Sequence, residues 1–251
     1  MSNVAIGIDI GGTGIKGGLV DVDSGELIGE RVRIPTPAGG KPQDIADVTR
    51  TVIAELDAPA GVAVGVCFPS SIRHGVTMLA ANISKKWIGF EAETFFQEQL
   101  GRPLKFVNDA DAAGFAEVIY GAAKDQAGLV MMTTLGTGIG TAMIYNGVLI
   151  PNAELGHLEL NGFDAESRAS AIVREKENLS YEEWATKRLQ PFYEHVEMLF
   201  SPELFIVGGG VSKSYEKFLP YLRLRTPIIP AKLFNRAGIL GAARLAADEN
   251  S

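Results

Sequence analysis

The sequence predicts an α/β fold made of two related halves, and three observations carry the prediction. Residues 4–22 read as apolar strand, glycine-rich tip and second strand, and residues 127–150 read the same way. Strand and helix patterns alternate between and after these two hairpins, the mark of α/β layering. The chain has 251 residues, 46% of them hydrophobic and 21% charged, enough for a real core in one large or two modest domains.

Each element has its own signal. "VAIGIDI" (4–10) is a buried strand, and "KGGLVDV" and "ELIGERVRI" are two more, split by the turn "DSGE". Residues 42–57 place Ile45, Val48, Val52, Ile53 and Leu56 at helical spacing behind Pro42. "GVAVGVCFP" is a second buried strand, "EAETFFQEQLG" a helix stopped at Gly101, "LKFVND" a short strand and "DAAGFAEVIYG" a helix. A second cycle opens with two strands around "LGTGIG" and an Asn146–Gly147 turn. "AESRASAIVREKE" and "SYEEWATKRLQPFYEHVEMLF" read as helices, with Pro191 expected to kink or split the second. Ser180 and Glu183 fit a capping box. "ELFIVGGG" is a strand running into a glycine turn, and "NRAGILGAARLAADE" is a closing amphipathic helix. The domain boundary is expected near residues 110–125.

Bulk composition narrows the function. A formal net charge of −7 argues against a non-specific nucleic-acid binder. The single cysteine, Cys67, sits in an apolar run, so it reads as core and allows neither a disulfide nor a multi-cysteine zinc site. Strand-like sequence begins at Val4 with no leader pattern before it, and no apolar run reaches the ~20 residues of a membrane span. The expectation is a cytoplasmic protein without membrane or nucleic-acid partners.

The first tip contains G-x-G-x-x-G at Gly12, Gly14 and Gly17. In a dinucleotide fold the third glycine opens a helix that receives the pyrophosphate. Here Gly18, Leu19, Val20, Asp21 and Val22 follow, poor helix and good strand. The loop is therefore a hairpin tip. Its bare backbone N–H groups can still form an anion-binding concavity, from Gly11, Gly12, Thr13 and Gly14, with Lys16 as a nearby charge. Asp9, at the strand end, suits a water-mediated magnesium ion, because hard cations prefer oxygen. The second tip repeats the device with Gly136, Thr137 and Gly138. Such tips read as phosphate grips or, blandly, as tight turns.

Acceptor chemistry is written elsewhere. Asp109 follows Asn108 at the end of the strand "LKFV", where a carboxylate suits a general base or, alternatively, a helix N-cap that Asp111 could fill better. Glu154 and His157, three apart in "NAELGHLEL", suit adjacent sugar hydroxyls, each of which donates and accepts. Asn82 is a further hydrogen-bonding candidate, Trp87 reads as packing, and Lys85 and Lys86 as solvated charges.

Taken together, "GIDIGGTGIKGGLVD", "GVCFPSSIRHG", "NISKKWIGF", "FVNDADAAG", "TTLGTGIGTAMIYNG", "ELGHLEL" and "LFIVGGGVS" resemble the ROK family of sugar kinases over nearly the full chain. The resemblance implies a two-lobed actin-like ATPase (ribonuclease H-like) fold of the sugar kinase type, with the hexose in an interlobe cleft. It implies an N-terminal domain of residues 1–112 joined by the C-terminal helix 236–249, a second domain of 113–235, and a homodimer. Asp109 matches the catalytic base. Asn82, Asn108, Glu154 and His157 match sugar-binding positions, and Glu166 is the candidate for one more. Gly208, Gly209 and Gly210 match the turn beside the nucleotide base. Most of the family has C-x-C-G-x-x-G-C after the glycine–histidine pair, and that histidine helps bind zinc. Here "LELNGFDAE" has no cysteine, so no zinc site is expected and His157 is left to the sugar. The shortened loop resembles the polyphosphate-using glucokinases of the family. That likeness implies transfer from inorganic polyphosphate, possibly also ATP, to glucose with magnesium. Arg73, Lys85, Lys86, Lys124, Arg168 and Lys213 are candidates for a polyphosphate track. The rivals are an ATP-dependent hexokinase acting on glucose, mannose or another hexose, an actin-like or chaperone-like ATPase, and a sugar-responsive regulator. The regulator is disfavoured, because no helix-turn-helix precedes the first strand.

Overall fold

The computed structural model describes residues 3–80 and 83–249. Asn82, one of the sugar-binding candidates, lies outside the described residues. Contacts divide the chain into two units, residues 1–116 with 235–251, and residues 117–234.

In the first unit β1 (Val4–Gly11), β2 (Gly14–Asp21) and β3 (Glu26–Ile34) form an antiparallel meander. Helix α1 (Pro42–Glu55) starts with Pro42 in its first turn, where the missing N–H costs nothing, and leads to β4 (Ala63–Phe68), parallel to β1. Three two-residue strands, β5 (Ile72–Arg73), β6 (Val76–Thr77) and β7 (Phe90–Glu91), make a small sheet too short to leave a sequence pattern. Helix α2 (Ala92–Leu100) ends on Gly101 in the left-handed conformation (φ 63°). Strand β8 (Lys105–Asn108) and helix α3 (Asp109–Ile119) follow, giving sheet order β3-β2-β1-β4-β8. The core joins Ile6, Ile8, Val66, Phe68, Phe96 and Phe106 around fully buried Trp87. Its indole N–H reaches the carbonyl of Gly40 at 2.8 Å, so Trp87 is packing. Cys67 is buried as well, and burial pushes its thiol well above the ordinary range.

The second unit repeats the plan. Strands β9 (Leu129–Leu135), β10 (Ile139–Tyr145) and β11 (Val148–Ile150) form a meander whose second turn, Asn146 (φ 48°) and Gly147 (φ 81°), is the type I′ pair that matches strand twist. A small hairpin, β12 (Glu159–Leu160) with β13 (Phe163–Asp164), precedes α4 (Glu166–Ala169) and α5 (Ala171–Lys176). The sequence reads this last stretch as one helix, but the chain breaks at Ser170, whose backbone is extended. The break lets the N–H of Ile172, which has no helical partner in a first turn, donate to the carbonyl of Gly136 at 3.1 Å.

Helix α6 (Tyr181–Trp184), a π turn (Ala185–Leu189) and α7 (Gln190–Phe200) run without a break. Pro191 neither splits nor ends the run, because the wide turn just before it absorbs the misfit. Both bonds of the Ser180–Glu183 capping box form. Ser180→Ala is expected to cost about 1 kcal/mol, and urea unfolding followed by tryptophan fluorescence would detect it; an unchanged midpoint would refute it. Strand β14 (Leu204–Gly208), a 3₁₀ stretch (Gly210–Lys217) and β15 (Ile228–Pro230) complete sheet order β11-β10-β9-β14-β15.

Helix α8 (Ala237–Glu249) returns to the first unit and lies against β1 and β4. The approach is backbone to backbone. A Cβ on Gly7 would sit 1.9 Å from the carbonyl oxygen of Ile239, and one on Gly65 1.9 Å from that of Ala242. No helix among the described residues is long and apolar enough to cross a membrane.

Candidate active site

In the first unit the site grows from the ends of β1, β4 and β8. Asp9 on β1 pairs with Lys16 on β2, and the ammonium lies 2.7 Å from Oδ2. On the other side Asp9 faces Cys67 of β4 across the parallel ladder. The tip is the two-residue turn Gly12–Thr13 between Gly11 and Gly14. Sequence reading passed over Arg33, which sits opposite Lys16 on β3 with its guanidinium against the tip. A Cβ on Gly14 would lie 3.0 Å from its Nε. The signal was available: a strand pairing with the hairpin's second arm must bring its own alternate residues to the same face.

Asn108 ends β8 and caps α3, its Oδ1 accepting the N–H of Asp111 at 3.0 Å. Its amide also donates to the Ser70 carbonyl at 3.0 Å. Asn108, not Asp111, is therefore the N-cap, and this sugar-binding candidate also has a structural task. That places Asp109 at the first helical position, half-buried, with the positive end of the helix dipole behind it. Its Oδ1 accepts the N–H of Ala110 at 2.8 Å, which fixes the carboxylate's rotamer.

The second unit brings the other candidates together. Glu154 precedes a 3₁₀ turn (Leu155–His157) pinned to β10, where Thr141 Oγ1 accepts the N–H of Leu155 at 3.0 Å. His157 Nδ1 lies 2.7 Å from Asp164 Oδ2. Glu166 opens α4 and reaches the second tip, its Oε2 accepting the N–H of Ile139 at 2.9 Å. A Cβ at position 138 would sit 2.3 Å from the same oxygen, so a side chain there would displace the Glu166 carboxylate. Gly136, Thr137 and Gly138 form the tip, with Thr137 exposed. Gly208 pairs with Thr134 and Gly209 packs on the backbone of Leu135, which puts the glycine turn beside this tip. Arg168, a candidate for the polyphosphate track, stacks 3.5 Å over the ring of Phe163.

Charge follows the geometry. The hydrogen bond to Asp164 raises the pKa of His157, aided by Glu166 and Glu154 and opposed by burial. Burial raises that of Glu154, with Glu166 adding to it and His157 opposing. A raised folded-state value for a histidine means that its protonated form stabilises the fold. That contribution is complete below the ordinary value of 6.5 and is lost as pH rises through the higher folded one. The stability difference between this chain and His157→Gln is thus expected to be largest at about pH 6 and to shrink as pH rises through the raised folded-state value. Urea titrations at several pH values measure it, and a difference that grows with pH would contradict the assignment. His157, Asp164 and Glu166 place three donor atoms within 4.8 Å of one another. Within the set His157 and Asp164 bond to each other, and Glu166 accepts the N–H of Ile139.

Comparison with known proteins gives the family. A sequence model of the ROK family matches residues 5–177. A polyphosphate glucokinase of Mycobacterium tuberculosis (strain CDC 1551 / Oshkosh) is 47% identical over 238 residues, covering 94% of this chain and 89% of that protein. The inorganic polyphosphate/ATP-glucomannokinase of Arthrobacter sp. strain KM superposes with a TM-score of 0.92 at 52% identity, with 99% of each chain covered. A ROK family glucokinase of Streptomyces griseus, solved with glucose and AMPPNP, superposes with a TM-score of 0.79 at 25% identity over 98% of this chain and 99% of that one. With a family model over most of its length and a close relative spanning nearly all of it, the chain belongs to the ROK family, and its α/β architecture is that of the family's sugar kinases.

Proposed function

We infer that the chain is a polyphosphate glucokinase, transferring a phosphoryl group from inorganic polyphosphate to the 6-hydroxyl of glucose. The observation that carries this is the near-full-length likeness to polyphosphate-using kinases of glucose. The site supplies the roles. Asp109, held by the first turn of α3, takes the proton of the 6-hydroxyl. The oxygen then attacks the terminal phosphorus, the bond to the rest of the chain breaks, and the shortened polyphosphate leaves with its electron pair. Asn82, Asn108, Glu154, His157 and Glu166 hold the sugar hydroxyls in this reading. Backbone N–H groups of the two tips, 11–14 and 136–138, and the Lys16 ammonium meet the developing negative charge.

Magnesium fits the donor set. Asp9 offers carboxylate oxygens near the end of β1, Oδ2 on the Lys16 ammonium, and a hard cation takes such oxygens through water. When bound, the ion would neutralise charge on the phosphoryl donor. ATP as a second donor, with Gly208–Gly210 beside its base, is supported by the name of the Arthrobacter relative, which also points to mannose as a second acceptor. A homodimeric cytoplasmic enzyme belongs to the same reading and rests on family membership alone.

A coupled assay for glucose 6-phosphate, with each donor in turn, tests the proposal. Turnover with polyphosphate is expected; turnover with ATP alone would replace it by an ATP-dependent hexokinase. The KM for polyphosphate is also expected to rise steeply with salt, since a polyanion releases counterions when cations bind it. A flat response would exclude a cationic track.

A further inference from the structure

We propose that Asp164 is a positioning residue of the sugar site, holding the imidazole of His157 by Nδ1 so that Nε2 is presented to a hexose hydroxyl. The proposal rests on the reading of His157 as a sugar contact.

Local structure brings the two residues together. Asn161 (φ 54°) and Gly162 (φ 80°) form a two-residue turn with both backbones left-handed, which pairs Glu159 with Asp164. The hairpin folds Asp164 back beside His157, the last residue of its 3₁₀ turn. At 2.7 Å the contact has the length of a charge-assisted hydrogen bond. The carboxylate is itself anchored, because Oδ1 accepts the N–H of Ser167 at 3.3 Å. The Asp164 carbonyl also accepts from Ser167 Oγ at 2.6 Å. Asp164 is thus tied to the turn that carries Glu166, which grips Ile139 at the second tip.

The imidazole needs such a hold. Its side chain is 43% exposed, and an exposed ring turns about χ2 and exchanges tautomers unless one nitrogen is fixed. A carboxylate on Nδ1 sets which nitrogen faces outward, as carboxylates do for metal-bound histidines. The charged groups facing the ring are Asp164 on β13, Glu154 ahead of the 3₁₀ turn and Glu166 on α4. All three favour the imidazolium, and only Asp164 is hydrogen-bonded to it. Nothing in this role requires Asp164 to touch the sugar.

Asp164→Ala and Asp164→Asn test it, the second preserving the hairpin and an oxygen acceptor for Nδ1–H. Kinetics with glucose and donor varied separately would be combined with NMR pH titration of the imidazoles. The chain has three histidines, so His74 and His195 serve as internal references. Asp164→Ala is expected to raise the KM for glucose about tenfold, the worth of one charge-assisted hydrogen bond, with the donor KM within about twofold. The His157 titration should move down toward that of an ordinary histidine. Asp164→Asn should recover most of the glucose KM but not the titration. In a His157→Ala background, Asp164→Ala should add no further loss.

An unmoved His157 titration would overturn the proposal, as would equal losses with and without the imidazole, or a donor KM that rises with the glucose KM. If the unmodified chain phosphorylates no hexose with either donor, the parent reading fails. The titration still decides whether Asp164 holds His157.

Discussion

Asp109→Asn is expected to lower kcat by about 10²–10⁴, the usual worth of a general base. The substitution changes little else. Asparagine is nearly isosteric, and its oxygen can still accept the Ala110 N–H that fixes the rotamer. Asn108 continues to cap α3 through Asp111, so the helix start is preserved. What disappears is the capacity to take the proton of an attacking hydroxyl. The KM for glucose should change far less than kcat, because the interaction lost belongs to the transition state. Steady-state kinetics at saturating polyphosphate, with a thermal melt to verify folding, would measure both. A kcat within a few-fold of the unmodified chain would remove Asp109 from the mechanism.

Gly65→Ala is expected to be among the most damaging small substitutions for stability. The new methyl would lie 1.9 Å from the carbonyl oxygen of Ala242, and that oxygen belongs to helix backbone, which has no rotamer to give way. The helix must lift off the sheet. A Cβ on Gly7 would likewise lie 1.9 Å from the Ile239 carbonyl oxygen and one on Gly241 1.8 Å from that of Ala112, so the helix is seated at all three positions and lifting it to relieve one opens gaps at the other two. Overpacking of this kind costs about 3 kcal/mol, roughly 6–12 °C in Tm for a chain of this size. Gly210→Ala is the control: a Cβ there meets nothing within 4 Å, and its change should stay within about 0.5 kcal/mol. Thermal melts of the two variants make the comparison, and a Gly65→Ala melt that matches the control would show that α8 does not seat on β4 at this distance.

Much of the fold was legible because its signals are local. The apolar strands around both tips, the Pro42 start of α1, the Gly101 stop of α2 and the capping box at Ser180 were all read correctly, each from a few adjacent residues. The tip at 11–14 was separated from a dinucleotide loop by Gly18–Val22, which pair in β2 and beyond rather than opening a helix. Misreadings came where distant residues intervene. Residues 165–177 have helical composition, yet Gly136 draws the N–H of Ile172 and the chain breaks at Ser170. The strands β5, β6 and β7 have two residues each, below any period, and exist because they pair with one another.

The site divides in the same way. The sequence by itself determined which residue types stand in the strands, tips and turns around the site: Asp9 and Lys16, Gly136 and Gly138, Asp109, Glu154 and His157. Their order along the chain also carries the family likeness. Tertiary structure decided what those residues touch. It paired Lys16 with Asp9, gave Asn108 the cap of α3, drew Glu166 onto Ile139, and set Asp164 against His157 across a turn whose Asn-Gly pair was visible but whose partner was not. The reason is physical. Propensity and periodicity act over a few residues, whereas a side chain's partner is fixed by strand register and by how closely two backbones approach, and both are settled only when the whole core packs.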